Sequence, residues 1–364
     1  APLPAARHAE ETERLLTEEL RRPFDLASGP LTRVLLVRRA ADDHVLLLAQ
    51  HHIVTDGWSV GVLVRELTAL YRAEASGEPD GLPAPGLQYP DFAVWENERR
   101  SGEQEAEDLA HWKRHLVGLQ QLDLPTDHPR PAVRGTAGAA HRLRIPARLI
   151  ARLRESAGYR GTTLFTLFAG AAAVLFSRYS GQRDVAFGTV TDGRVRRDLE
   201  EVTGFFANTV VLRTEVDDTL TVNRFLESVR STVLDAFAHA GTPFDRVVEE
   251  LAPPRDPSRT PLVQALVVQQ TPLAHPPLAA GVRVEEHPLP RPAARFDLVL
   301  EFTPAPDGGC QLTVEYNTDL FEPRTAARLA RHLHHLLEGL ADGPHRTLAE
   351  LPLLTDGERD ALLR

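Results

Sequence analysis

Methionine is missing from all 364 residues, position 1 included, and lysine occurs once, at Lys113. The first absence reads as a piece taken from a longer protein. The second leaves arginine as nearly all of the 41 basic residues, a bias of genomic rather than functional character. Cys310 is the single cysteine, which excludes an internal disulfide or a cysteine metal cluster. Positive charge is also short. With 41 basic against 51 acidic residues and a net charge of -10, the chain lacks the basic face that phosphate contacts need, so no nucleic-acid partner is expected. Long apolar runs are absent too: the longest, Leu164 to Phe176, falls short of the roughly 20 residues that span a bilayer. Residues 1–40 hold no basic segment followed by an apolar core. A cytoplasmic protein with no membrane partner is the expectation.

Several chemistries lack their signatures. There is no G-x-S-x-G elbow, no phosphate loop and no H-E-x-x-H helix. His332, His334 and His335 cluster on one helical segment without further ligands, which reads as a solvated face, so no metal is expected.

What is present is ordinary globular material, 42% hydrophobic and 25% charged. Leu31–Val37 and His44–Ala49 read as a hairpin of strands, flanked by helices over Glu10–Arg22 and Ser59–Ala75. The proline-dense Leu124–Gly135 reads as a linker. Beyond it, strands and helices alternate to a closing helix over Arg324–Leu340, and a proline-rich loop runs to Pro277. The predicted class is α/β in two layers, with domains over 1–130 and 131–350 and a terminal linker over 351–364.

One stretch concentrates the residues able to do chemistry: Gln50 to Ser59, QHHIVTDGWS. It closes the apolar run Val45–Ala49. If the two histidines end a strand, alternation sends His51 and His52 to opposite faces. Asp56-Gly57 is predicted to turn the chain, and Ser59 to cap the next helix. Asp56 in such a turn suits an arginine partner or a backbone cap.

Five segments, in order, resemble the condensation domains of non-ribosomal peptide synthetases. HHIVTDGWS at 51–59 is similar to their HHxxxDG signature, YPDFAVW at 89–95 to Y-x-D-F-A-V-W, and GFFANTVVLR at 204–213 to G-x-F-V-N-T. HAGTPFDRVVEEL at 239–251 is similar to H-Q-D-x-P-F-E, and RDPSRTPL at 255–262 to R-D-x-S-R-N-P-L. Ala240-Gly241, Ala207 and Val190–Arg194, VTDGR, depart from the usual residues. The end, LPLLTDGERDALLR, resembles the linker into an adenylation domain. The family's two earliest motifs are missing, so the first lobe is expected to be incomplete.

The resemblance implies two chloramphenicol acetyltransferase-like lobes forming a V, with a substrate tunnel between them. It implies amide formation by attack of a carrier-bound aminoacyl amine on a carrier-bound acyl or peptidyl thioester. His52 is the implied catalytic residue, supported by His51, Asp56 and Gly57, and Trp58, Ser59 and Asn208 are candidates along the substrate path. One implied arginine partner of Asp56 lies in the missing segment. No cofactor of its own is implied; phosphopantetheine arms come with upstream donor and downstream acceptor carrier domains. An epimerising member of the same fold, or a non-catalytic platform that docks carrier proteins, are the alternative functions. The aromatic residues Trp58, Tyr89, Trp95, Phe205 and Phe206 are expected mainly in the core.

Overall fold

The computed structural model describes residues 5–99, 102–159, 161–273, 278–279, 281–287, 289, 291 and 293–363. The chain divides into two compact units, neither of them continuous in sequence. One holds residues 1–96, 194–207 and 273–292, and the other holds 97–193, 208–272 and 293–364. This differs from a boundary near residue 130. The proline-dense segment belongs to the second unit, because Leu122 and Leu124 are buried in its core beside Trp112 and Leu116. Arg130 adds an ion pair to the buried Asp297 at 2.5 Å. The predicted loop to Pro277 lies partly outside the described residues.

In the first unit, α1 (Ala5–Arg21) packs Leu16 against Val45 and Leu47 of an antiparallel hairpin, β1 (Thr32–Arg38) and β2 (His44–Gln50). Alternation is visible in the burial of β2, where Val45, Leu47 and Ala49 face inward. Val34, Leu36, Leu46 and Leu48, on the opposite face, are exposed. The helix α2 (Gly57–Ser76) follows, and α3 (Tyr89–Arg99) brings Phe92 into a small cluster with Leu199, Val202 and Phe206. The spacing of Leu63, Leu67, Leu70 and Tyr71 is helical, yet Leu67, Leu70 and Tyr71 are exposed and Leu63 is half-buried; the buried residues of α2 are Ser59, Val62 and Thr68.

The second unit is a six-stranded sheet with helices. Its elements are α4 (Glu103–Leu116), β3 (Gly138–Ile145), α5 (Ala147–Tyr159), α6 (Leu164–Ser180), β4 (Asp184–Thr191), β5 (Asn208–Glu215), α7 (Val222–Ala238) and α8 (Phe244–Leu251). They continue with β6 (Ala265–Gln269), β7 (Leu298–Pro304), β8 (Cys310–Asn317), α9 (Pro323–Asp342) and α10 (Asp356–Leu362). The strand order is β3-β8-β7-β6-β4-β5, with β6 parallel to both β4 and β7 and the other pairs antiparallel. α6 is apolar all round because it is buried all round, and Phe168 stacks on Phe302 of β7 with ring centroids 3.9 Å apart. Cys310 sits in this core, where burial pushes its thiol up to about 11 and leaves it unreactive.

The histidines of α9 do not form a solvated face. His332 is buried, with Tyr179 Oη 2.8 Å from Nδ1 and Glu358 of α10 2.9 Å from Nε2. The segment carrying α10 therefore packs onto α9 within the second unit. Among the described residues, no helix is long and apolar enough to cross a membrane.

Candidate active site

The hairpin ends two residues too early for strand alternation to separate the two histidines. β2 stops at Gln50, His51 is the extended N-cap of a single 3-10 turn, and His52 opens that turn. The two rings differ in their partners. His51 Nδ1 accepts the Ile53 amide at 3.1 Å, and its ring meets Phe24 edge-on at 5.9 Å. His51 is thereby occupied with holding the turn. His52 Nδ1 lies 2.6 Å from the Thr55 carbonyl oxygen. A carbonyl only accepts, so in the neutral imidazole Nδ1 carries the proton and Nε2 carries the lone pair. Phe205 packs edge-on against the His52 ring at 4.9 Å and fixes its plane.

Asp56, not Ser59, caps the helix that follows: its Oδ1 accepts the Ser59 amide at 2.8 Å, one of the donors that a helix start leaves open. Its Oδ2 takes Arg194 Nη1 at 2.8 Å and the Phe206 amide at 3.0 Å. The arginine partner is thus within this chain, in the VTDGR segment, and the expectation that it was lost is corrected. The Asp56 and Arg194 side chains are only 2% and 1% exposed, so the pair is fully withdrawn from water. Arg194 directs its other donors to Ser59 Oγ at 2.9 Å and to the carbonyls of Leu199 and Val202. Its guanidinium lies 4.2 Å from the Phe206 ring centre. Burial pushes the Asp56 carboxyl up, but the hydrogen bonds from Arg194, Ser59 and Phe206 outweigh it and hold the group below the ordinary carboxylate range.

The remaining candidates divide. Ser59 is fully buried, and its hydroxyl joins the Gly204 amide and carbonyl at 3.0 and 2.9 Å, so it braces the site and does not line a substrate path. Gly204 must be glycine, since a Cβ there would overlap the Tyr89 ring. Gly57 is the exposed first residue of α2. Trp58 is half exposed rather than core, with Nε1 donating to the Glu200 carbonyl at 2.8 Å. The Phe205-Phe206 pair splits, Phe206 entering the core and Phe205 staying 40% exposed beside His52. Asn208 belongs to the second unit. It donates to the Ala240 and Thr242 carbonyls at 2.9 and 2.7 Å and accepts the Phe244 amide at the start of α8, so its amide is committed to the fold.

Arg194 and Phe205 are the residues that a linear reading missed as parts of the site. Arg194 is 138 positions from Asp56. The only signal in the sequence is that two aligned segments, VTDGR and GFFANT, flank the loop that returns to the histidine turn.

The model of the condensation domain family matches residues 4–363. Chondramide synthase cmdD from Chondromyces crocatus is 40% identical over 98% of this chain, and phosphinothricin tripeptide synthetase PhsC from Streptomyces viridochromogenes is 39% identical over 98%. The chain spans 9% and 33% of the length of those two proteins. Among solved structures, the X-domain from teicoplanin biosynthesis superposes with a TM-score of 0.85 at 31% identity, over 95% of this chain and 79% of that one. A four-domain nonribosomal peptide synthetase bound to AMP and glycine gives a TM-score of 0.85 at 25% identity, over 97% of this chain and 28% of that one. The mixed α/β units, the HHxxxDG turn and these likenesses agree: the chain belongs to the condensation domain family of non-ribosomal peptide synthetases.

Proposed function

We propose that this chain forms an amide bond between two carrier-bound substrates, the amine of an aminoacyl thioester attacking an acyl or peptidyl thioester. The observation that carries the reading is the His52 ring, whose Nδ1 is tied to the Thr55 carbonyl at 2.6 Å and whose Nε2 is left as an acceptor. Nε2 accepts a hydrogen bond from the attacking amine, aims its lone pair at the thioester carbonyl and receives the proton as charge develops. An α-amino group titrates at about 7.7–8.0, so roughly a tenth of it is already neutral near pH 7; full proton removal by His52 is not obligatory, and aiming is the larger part of the work. Orientation of this kind is worth roughly 7–11 kcal/mol in favourable cases. His51, Asp56 and Gly57 set the turn; the bare backbone at Gly57 lets substrate come close. The chain needs no cofactor of its own in this reading. Each phosphopantetheine arm arrives on a donor or acceptor carrier domain, with an adenylation domain as a further partner and a cytoplasmic setting. The family model favours condensation over epimerisation.

The test is product formation from a loaded donor and a loaded acceptor carrier. His52→Ala is expected to lose about 10²–10⁴-fold in rate, while His52→Gln, which keeps a polar group at the position, retains a substantial part of it. A glutamine variant as inactive as the alanine one makes proton transfer the dominant role, and an alanine variant with wild-type turnover overturns the reading. A second reading, recruitment of a partner protein without catalysis, is favoured by one likeness, since a teicoplanin X-domain 31% identical to this chain was solved in complex with OxyB. Under that reading His52→Ala leaves function intact.

A further inference from the structure

Away from His52, in the second unit, two helices present donor pairs at a spacing of four. α4 carries His111 and His115, and the end of α7 carries Asp235 with His239 just beyond it. Residues four apart on a helix share one face. One ligand atom from each of His111, Asp235 and His239 lies within 4.8 Å of the others. His111 Nε2 is 3.5 Å from Asp235 Oδ2.

Three features distinguish this group from histidines that are merely near one another. His111 Nε2 is buried and has no hydrogen-bond partner, a state that costs free energy unless something binds there. His239 Nδ1 lies 2.9 Å from the Asp235 carbonyl oxygen, which can only accept, so the proton sits on Nδ1 and the Nε2 lone pair is available. Metal-bound histidines are held in this way, the second nitrogen donating to a backbone carbonyl. The segment is anchored as well, Trp112 Nε1 donating to the His239 carbonyl at 3.1 Å.

We propose that His111, Asp235 and His239 bind one divalent transition metal ion of the zinc class, tying α4 to the end of α7. Two imidazoles and a carboxylate select a borderline metal over calcium or magnesium, and water completes a tetrahedral shell. The half-exposed Asp235 gives the ion its way in. The His111 and His239 rings are stacked 3.7 Å apart and 3° from parallel. A ring nitrogen directs its lone pair in the ring plane, so binding turns one ring out of the stack. His111, whose buried Nε2 has no hydrogen bond to give up, is the one that turns, so that His239 keeps its Nδ1 bond to the Asp235 carbonyl.

The test titrates the metal-stripped chain with ZnCl2 by calorimetry and with CoCl2 by visible absorption. One Zn2+ per chain, a higher melting temperature with Zn2+ and tetrahedral Co2+ bands are expected. Asp235→Asn and His111→Gln should each weaken Zn2+ binding at least about tenfold, and His335→Gln, on α9, should leave it unchanged. Asp235→Asn decides the matter if His111→Gln does not fold, because Asp235 is half exposed. Failure to bind stoichiometric Zn2+, or wild-type affinity in Asp235→Asn, overturns the proposal.

Discussion

Arg194 carries more of the histidine turn than any residue inside the motif. It neutralises a buried carboxylate, braces Ser59 and collects two carbonyls, so its removal leaves several buried groups without partners. Arg194→Met is expected to cost about 3–5 kcal/mol, the usual result of breaking a buried pair, measurable as a lowered denaturant midpoint. Adding Asp56→Asn in the same chain should recover part of it. Acid gives a second measurement. The folded Asp56 pKa is depressed, so its stabilisation is complete above the unfolded value near 4 and is lost as pH falls through the folded value. The acid-side loss of stability should be shallower in Asp56→Asn than in the parent chain; equal slopes would remove Asp56 from the account. At this scale the sequence is half legible. His52 and Asp56 stand together in one motif, whereas the arginine that answers Asp56 is set by the return of a distant loop, which no local pattern encodes.

Elements are more legible than the faces they present. Periodicity locates the hairpin, α2 and the buried α6, since 3.6- and 2-residue repeats are local properties. It does not say which side of α2 meets the core, because Leu67, Leu70 and Tyr71 imitate an inward stripe while remaining exposed. Nor does it reveal that the proline-dense segment over 124–135 is anchored to the second unit by Leu124 and the Arg130–Asp297 pair. The hairpin supplies an element-scale prediction. Val34, Leu36, Leu46 and Leu48 form an exposed apolar face on β1 and β2. The chain should bind a hydrophobic dye and self-associate at high concentration. Leu36→Lys with Leu48→Lys should reduce both, as followed by fluorescence and light scattering, and an unchanged signal would place the apolar surface elsewhere.

Across the whole molecule, the first unit is assembled from three separated stretches, 1–96, 194–207 and 273–292. Composition and length suggest two domains but have no means of showing that they are threaded through each other. Ending the chain after Gly193 should therefore leave the amides of Ile53 and Ser59 unprotected from hydrogen exchange although every motif residue from 51 to 59 is present; retained protection would mean that the turn is autonomous. The Asp56–Arg194 latch also sets a clock. Its two halves are 138 residues apart, and translation at about 5–20 residues per second delivers the arginine on the order of ten seconds after the aspartate. Throughout that interval the nascent site holds an unanswered carboxylate and stays hydrated and open. Closure of the histidine turn is thus expected late in synthesis, once the chain has passed Arg194 and Phe206.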